Sequence, residues 1–170
     1  MTTLILKEIE TPTGVMRLGA TEDALVLCDW PDAQGAAHCL SALCRRLGAV
    51  PVPGDSPVLE KAEKALKDYF AGRLQTFDMP LRPCGTPFQE TVWRALLEIP
   101  YGKTASYGDI ARRIGRPTAF RAVARAVGAN PLCIAVPCHR IIGSDGSLTG
   151  FGGGLDRKVL LLKLEGHASF

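Results

Sequence analysis

Three short apolar-rich runs, Leu4 to Ile9, Val15 to Ala20 and Ala24 to Trp30, open the chain, separated by turn signals at Pro12-Thr13-Gly14 and Glu22-Asp23. Runs of this length between turn residues read as strands, so a small antiparallel meander is predicted. His38 to Leu47 reads as a helix, which the Pro/Gly-rich segment Pro51 to Pro57 stops as a loop. From Val58 to Gly72, the residues Leu59, Ala62, Leu66, Tyr69 and Phe70 recur at helical spacing, with Gly72 as the C-terminal stop. The N-terminal region is therefore α+β in character.

Met79 to Pro87 packs three prolines and a glycine into one stretch and marks a boundary between residues 1–85 and 86–170. The pattern then becomes helical. Phe88, Val92, Leu96 and Ile99 form one face of a helix that ends before Pro100-Tyr101-Gly102. Ser106 and Asp109 make an S-x-x-D start signal for a helix with Tyr107, Ile110, Ala111 and Ile114 on its apolar side. Gly115-Arg116-Pro117 interrupts it, and a further helix with Pro117 in its first turn runs to about Gly128.

Two short helices joined by a tight Gly-containing turn predict a helix-turn-helix. On the second helix Phe120, Val123 and Val127 fall on one side, and Thr118, Arg121, Ala122, Arg125 and Ala129 on the other. Arginines among small side chains let a helix backbone approach DNA while the guanidinium groups reach phosphates or bases. A solvated amphipathic face would carry the same pattern.

Leu132 to Val136 is an apolar run of strand type that ends in Pro137-Cys138-His139-Arg140. A free cysteine, with a pKa of about 8.5, is roughly 7% thiolate near pH 7.4, so a nucleophilic role needs a base or positive charge beside it. His139 and Arg140 adjoin Cys138, but neighbours on a strand point to opposite faces, so direct pairing requires a turn or a bridging water. On local pattern Cys138 reads equally as a nucleophile or a small buried hydrophobe. Cys28 and Cys133 read as buried and structural, and Cys39, Cys44 and Cys84 carry no signal. His38, Cys39 and Cys44 match no usual zinc spacing, so no metal is expected.

Charge sharpens the division. Residues 1–85 hold nine Lys/Arg against eleven Asp/Glu, a net of −2; residues 86–170 hold eleven against six, a net of +5. A basic second half suits a polyanionic partner, although a solvated basic face would look the same. Lys7, Glu8 and Glu10 interrupt the N-terminus where a secretory signal needs an apolar stretch, and no apolar run reaches membrane-spanning length. A soluble cytoplasmic protein is expected, with its six cysteines as free thiols.

With Pro137-Cys138-His139-Arg140 preceded by Asn130-Pro131 and a helix-turn-helix, the chain resembles the O6-alkylguanine-DNA alkyltransferase family. The likeness includes Phe88 to Trp93, Tyr101-Gly102 with Ser106-Tyr107, Arg121-Ala122-Val123, Gly152-Gly153 and Leu164-Glu165-Gly166-His167. It implies an α+β fold: a small N-terminal antiparallel sheet with helices, ribonuclease H-like, followed by a mainly helical winged helix-turn-helix domain that binds DNA and accepts the alkyl group. It implies direct reversal of DNA damage, with Cys138 taking the alkyl group from O6-alkylguanine in duplex DNA once per molecule. In that reading His139 activates Cys138 through a water, Glu165 orients His139, Asn130 supports the active-site turn, and Tyr107 donates a hydrogen bond or proton to the departing guanine. Arg121 is the finger that replaces the extruded nucleotide. Ala122, Arg116, Arg125 and Ser144 are further DNA contacts, and Phe151, Gly152 and Ile141 join Tyr107 in the substrate pocket. No cofactor is required, because the lesion itself is the electrophile. The expected partner is double-stranded DNA met by a monomer, with cooperation on DNA, O4-alkylthymine repair and alkyl-size preference left open.

The chain also departs from relatives. Phe151 stands where several carry tyrosine, Gly108 where some carry a larger polar residue, and the N-terminus lacks the ligands of zinc-binding relatives. Two other readings remain at this stage: a DNA-binding regulator with a structural or redox-sensing Cys138, and a damage binder that flags lesions without repair. Such binders replace the acceptor cysteine, and its presence here favours repair.

Overall fold

Strand β1 (Thr2–Thr11) and strand β2 (Gly14–Ala20) form a hairpin in the register Ile5 to Ala20 through Thr11 to Gly14, and strand β3 (Leu25–Asp29) pairs antiparallel with β2. The turn between β1 and β2 closes at Gly14, whose φ of 105° suits a residue without Cβ. Helix α1 (Ala36–Leu47) packs Leu43 into a core with Leu4, Val26 and Leu27. It stops at Gly48, and the chain enters strand β4 (Ala49–Pro53), which pairs parallel with β1. The sheet order is β3-β2-β1-β4.

Two expectations change here. The segment predicted as a loop from Pro51 begins as an edge strand, and the sheet is mixed rather than purely antiparallel. Prolines are accepted because they sit at alternate positions of an edge strand, both ring nitrogens on the side away from β1, while the Gly54 N–H that follows still donates to the Leu6 carbonyl. Helix α2 (Pro57–Phe70) begins with the Ser56 hydroxyl accepting from the Leu59 N–H. It buries Leu59, Ala62, Leu66 and Tyr69, and Gly72 at φ 77° ends it.

The computed structural model describes residues 2–168 and Phe170, and the chain divides into two compact units, 1–84 and 85–170. In the second unit helix α3 (Pro87–Leu96) starts from a reciprocal Thr86/Gln89 capping box and buries Val92, Trp93, Ala95 and Leu96. Trp93 Nε1 donates to the Ala126 carbonyl at 2.8 Å, which ties α3 to helix α5 (Phe120–Gly128). Strand β5 (Ala105–Ser106) leads into helix α4 (Tyr107–Arg113), whose Ser106/Asp109 capping box is the start signal seen in the sequence. β5 pairs parallel with strand β6 (Ile141–Ile142), and helix α6 (Leu155–Leu164) closes the unit.

Three local expectations fail in this unit. Pro117 and Thr118 lie in the turn of residues 114–119, so α5 begins only at Phe120. The apolar side of α5 is not buried throughout: Phe120, in line with Val127, is 51% exposed, because the first residue of a helix has no preceding turn to hold its side chain against the core. Residues 132–136 are a closed loop and not a strand.

Candidate active site

That loop is shaped by Asn130. Its Nδ2 donates to the Val136 carbonyl at 2.9 Å and its Oδ1 accepts from the Leu132 N–H at 3.0 Å, while the Val136 N–H donates to the Leu132 carbonyl at 2.8 Å. Ile134, a β-branched residue, sits at φ 72° within it, a costly conformation that only an over-determined loop retains. Past Pro137 the chain makes a single 3-10 turn, Cys138–Arg140, in place of an extended strand end. The turn removes the strand alternation that would have set Cys138 and His139 on opposite faces.

Cys138 is only 4% exposed, yet it lines a cavity with Tyr107, Asn130, Cys133, Phe151 and Gly152, and with Ala124, Val127 and Gly128 of α5. Its thiol is held below the ordinary cysteine range, first by a hydrogen bond from Cys133, then by Asn130 and the charge of Lys158, against the opposing effect of burial. Cys133 Sγ also reaches the Asn130 carbonyl at 3.8 Å. Cys39, by contrast, is pushed up to about 11 by burial.

His139 is completely buried, with Nε2 2.6 Å from Glu165 Oε2. Burial pushes the imidazole below its usual value despite the pull of Glu165, so the ring is neutral at neutral pH. An ionised carboxylate only accepts, which places the ring proton on Nε2 and the basic lone pair on Nδ1. Nδ1 is buried without a protein hydrogen-bond partner. Glu165 is itself fixed by Arg140, whose Nε donates to Oε1 at 2.8 Å and Nη2 to Oε2 at 3.2 Å, while Nη1 donates to the Ile99 carbonyl at 2.7 Å. The guanidinium lies 5.7 Å from the Tyr101 ring centroid.

On the other side of the cavity the Tyr107 hydroxyl and Thr149 Oγ1 are 2.8 Å apart. Lys158 Nζ donates to Thr149 Oγ1 and to the Thr149 carbonyl, both at 3.4 Å. Lys158 is 1% exposed, and burial pushes its ammonium down to about 8 against the stabilising pull of Cys138. The sequence reading missed Lys158 and Thr149, took Cys133 as structural only, and considered Arg140 as a charge beside Cys138 rather than as the partner of Glu165. A signal existed for the first: Lys158, Leu161, Leu162 and Glu165 share the buried side of α6, and an ionisable residue on an apolar stripe needs a partner.

Arg121, Arg125 and Arg116 are exposed on or before α5, Ala122 is half-buried between them, and Ser144 is exposed in the turn after β6. Arg116 stacks over the Phe88 ring at 5.7 Å. Ile141 departs from its expected place in the pocket: it is fully buried within β6, paired with Ala105, and does not line the cavity. Among the described residues no cluster of three or more His, Cys, Asp or Glu is arranged to hold a metal ion, and no helix is long and apolar enough to cross a membrane.

Residues 87–167 match the family profile of the 6-O-methylguanine DNA methyltransferase DNA binding domain. A methylated-DNA–protein-cysteine methyltransferase of Methanosarcina barkeri is 44% identical over 161 residues, covering 92% of this chain and 94% of that protein. A protein of the same name from Mycobacterium leprae is 52% identical over 122 residues, 72% of each chain. Among solved structures, a crystal structure of Mycobacterium tuberculosis OGT in complex with DNA superposes with a TM-score of 0.80 at 43% identity, covering 96% of this chain and 92% of that one. With a profile match over the Cys138 unit, and relatives that match over nearly their whole length, the chain belongs to the methylated-DNA–protein-cysteine methyltransferase family.

Proposed function

We propose that this chain repairs duplex DNA by moving the alkyl group of an O6-alkylguanine to Cys138 Sγ, once per molecule. The observation that carries this reading is a thiol held below its ordinary pKa at the wall of a cavity, followed in the same 3-10 turn by a neutral, carboxylate-oriented imidazole. His139 Nδ1 takes the thiol proton through a water, as the family resemblance implies. The thiolate attacks the alkyl carbon, an S–C bond forms, and the C–O6 bond breaks with its electron pair passing to the purine. Tyr107 meets that developing charge with its hydroxyl, which Thr149 and Lys158 support from behind. The thioether has no good leaving group, so the acceptor is consumed.

Reaching an O6 atom with a buried sulfur requires the nucleotide to leave the base stack, at a cost of a few kcal/mol. The α4–turn–α5 element, read as a winged helix-turn-helix, holds the duplex with Arg116, Arg125, Ala122 and Ser144, and Arg121 fills the place of the extruded nucleotide. The order β3-β2-β1-β4 with β4 parallel to β1 supports the ribonuclease H-like reading of the first unit. Phe151 and Gly152 form the apolar side of the base pocket. The protein acts as a monomer in the cytoplasm and needs no cofactor.

The test is mass spectrometry after incubation with a duplex carrying one O6-methylguanine. The peptide containing Cys138 gains one methyl group. An unmodified peptide, or a methyl group on another cysteine, would refute the assignment.

A further inference from the structure

The α5 residues that line the cavity share a stripe. Ala124, Val127 and Gly128 border it together with Cys138. At about 100° per residue, Phe120 falls within about 40° of Ala124 and about 20° of Val127, so it continues that stripe one turn, about 6 Å, beyond Ala124. Phe120 is 51% exposed, whereas Ala124 and Ala122 are small and half-buried. Arg121 and Arg125 flank the stripe on its solvent side. An isolated exposed apolar residue is ordinary on a protein surface; this one stands at the end of a pocket-lining stripe and directly before the arginine read as the finger.

We propose that Phe120 is an apolar wedge that works beside Arg121, its ring packing against the base pair next to the extruded nucleotide. The inference rests on the DNA-extrusion reading above. Extrusion exposes the faces of the flanking bases, and an apolar ring covers such a face without a hydrogen-bond requirement. Apolar side chains inserted between base steps hold DNA kinked in this way. Arginine replaces the hydrogen-bonding edge of the missing nucleotide, and phenylalanine replaces the stacking surface. The same ring gives no help to a free base, which reaches the pocket with no stack to leave.

The test compares Phe120→Ala and Phe120→Leu with the unaltered protein on two substrates, O6-methylguanine in a duplex and free O6-benzylguanine, by rate of Cys138 modification. Phe120→Ala is expected to slow the duplex reaction by about tenfold, the scale of one lost base stack, with the free-base rate unchanged. Phe120→Leu, still apolar, is expected to recover most of the loss. In parallel, duplex carrying 2-aminopurine beside the lesion is titrated with Cys138→Ala protein, with and without Phe120→Ala. The fluorescence rise from unstacking should fall by half or more in the double variant. An unchanged duplex rate and fluorescence rise would overturn the wedge, as would an equal loss on both substrates. Unmodified Cys138 in the unaltered protein would instead remove the transfer reading, while the fluorescence arm would still decide the role of Phe120.

Discussion

His139 Nε2 and Glu165 Oε2 lie 2.6 Å apart with both side chains fully excluded from solvent. Arg140 holds the same carboxylate with two further hydrogen bonds. One buried anion thus balances one cation and orients one neutral imidazole, so its removal has both structural and chemical consequences.

Replacing Glu165 with Gln leaves the Arg140 guanidinium buried without its counter-charge. Loss of one partner of a buried pair costs about 3–5 kcal/mol. Urea denaturation should show a loss on that scale, and alkyl transfer under conditions where the variant remains folded should be slower, because the ring no longer has its proton fixed on Nε2. A variant as stable and as fast as the original would show that the carboxylate neither balances Arg140 nor orients His139.

The reaction should remain fast at pH values where an ordinary thiol is protonated. A lowered Cys138 pKa means that the thiolate persists as pH falls below about 8.5 and is lost only as pH drops through the shifted value. Initial rates with free O6-benzylguanine across pH 5–9 should place the acidic limb below the ordinary cysteine value. Cys133→Ala removes the largest supporting contact and Lys158→Met removes a positive charge, so each should move that limb to higher pH. A limb that stays in place in both variants would mean that neither group supports the thiolate.

Arg121→Ala should separate extrusion from chemistry. The side chain is exposed on α5 and does not line the cavity. The duplex reaction should therefore slow by at least tenfold while the free-base rate holds, in line with the cost of leaving the gap unfilled. Equal losses on the two substrates would instead tie Arg121 to the pocket.

Gly85→Ala tests the packing between α3 and α5. A Cβ at position 85 would overlap the Trp93 ring, which is buried and anchored to the Ala126 carbonyl. Overpacking of this kind costs about 1–3 kcal/mol. A urea midpoint matching that of the unaltered protein would show that the ring gives way freely.

Much of this molecule was legible in one dimension because its signals are local. The S-x-x-D pair at Ser106 and Asp109 forms the capping box of α4, Gly72 stops α2, and the Pro-Cys-His-Arg run, with Asn130-Pro131 and the helix-turn-helix before it, carried the resemblance to the family that the profile match shows. The pattern also placed α1 and α2 to within about two residues of their observed bounds, and α3 at its start, although α3 ends at Leu96 and not at the expected Ile99. Where two outcomes share the same local pattern, the sequence did not choose. Pro51 and Pro53 read as a loop, yet an edge position beside β1 accepts them as a strand. Leu132 to Val136 reads as a strand, but the two ends of the Asn130 amide fold it into a loop.

The site itself shows the same limit more sharply. The family resemblance nominated Cys138, His139 and Glu165, because they sit in the short motifs that carry it. Only the folded chain brings Lys158 from α6 and Cys133 from the loop to the same sulfur, and sets Arg140 against Glu165 across 25 positions. Those contacts act through space between residues far apart in the chain or turned by an irregular loop, and no spacing rule encodes them. The identity of the reacting groups was therefore written locally, whereas their charge states depend on burial and on neighbours that tertiary packing alone supplies.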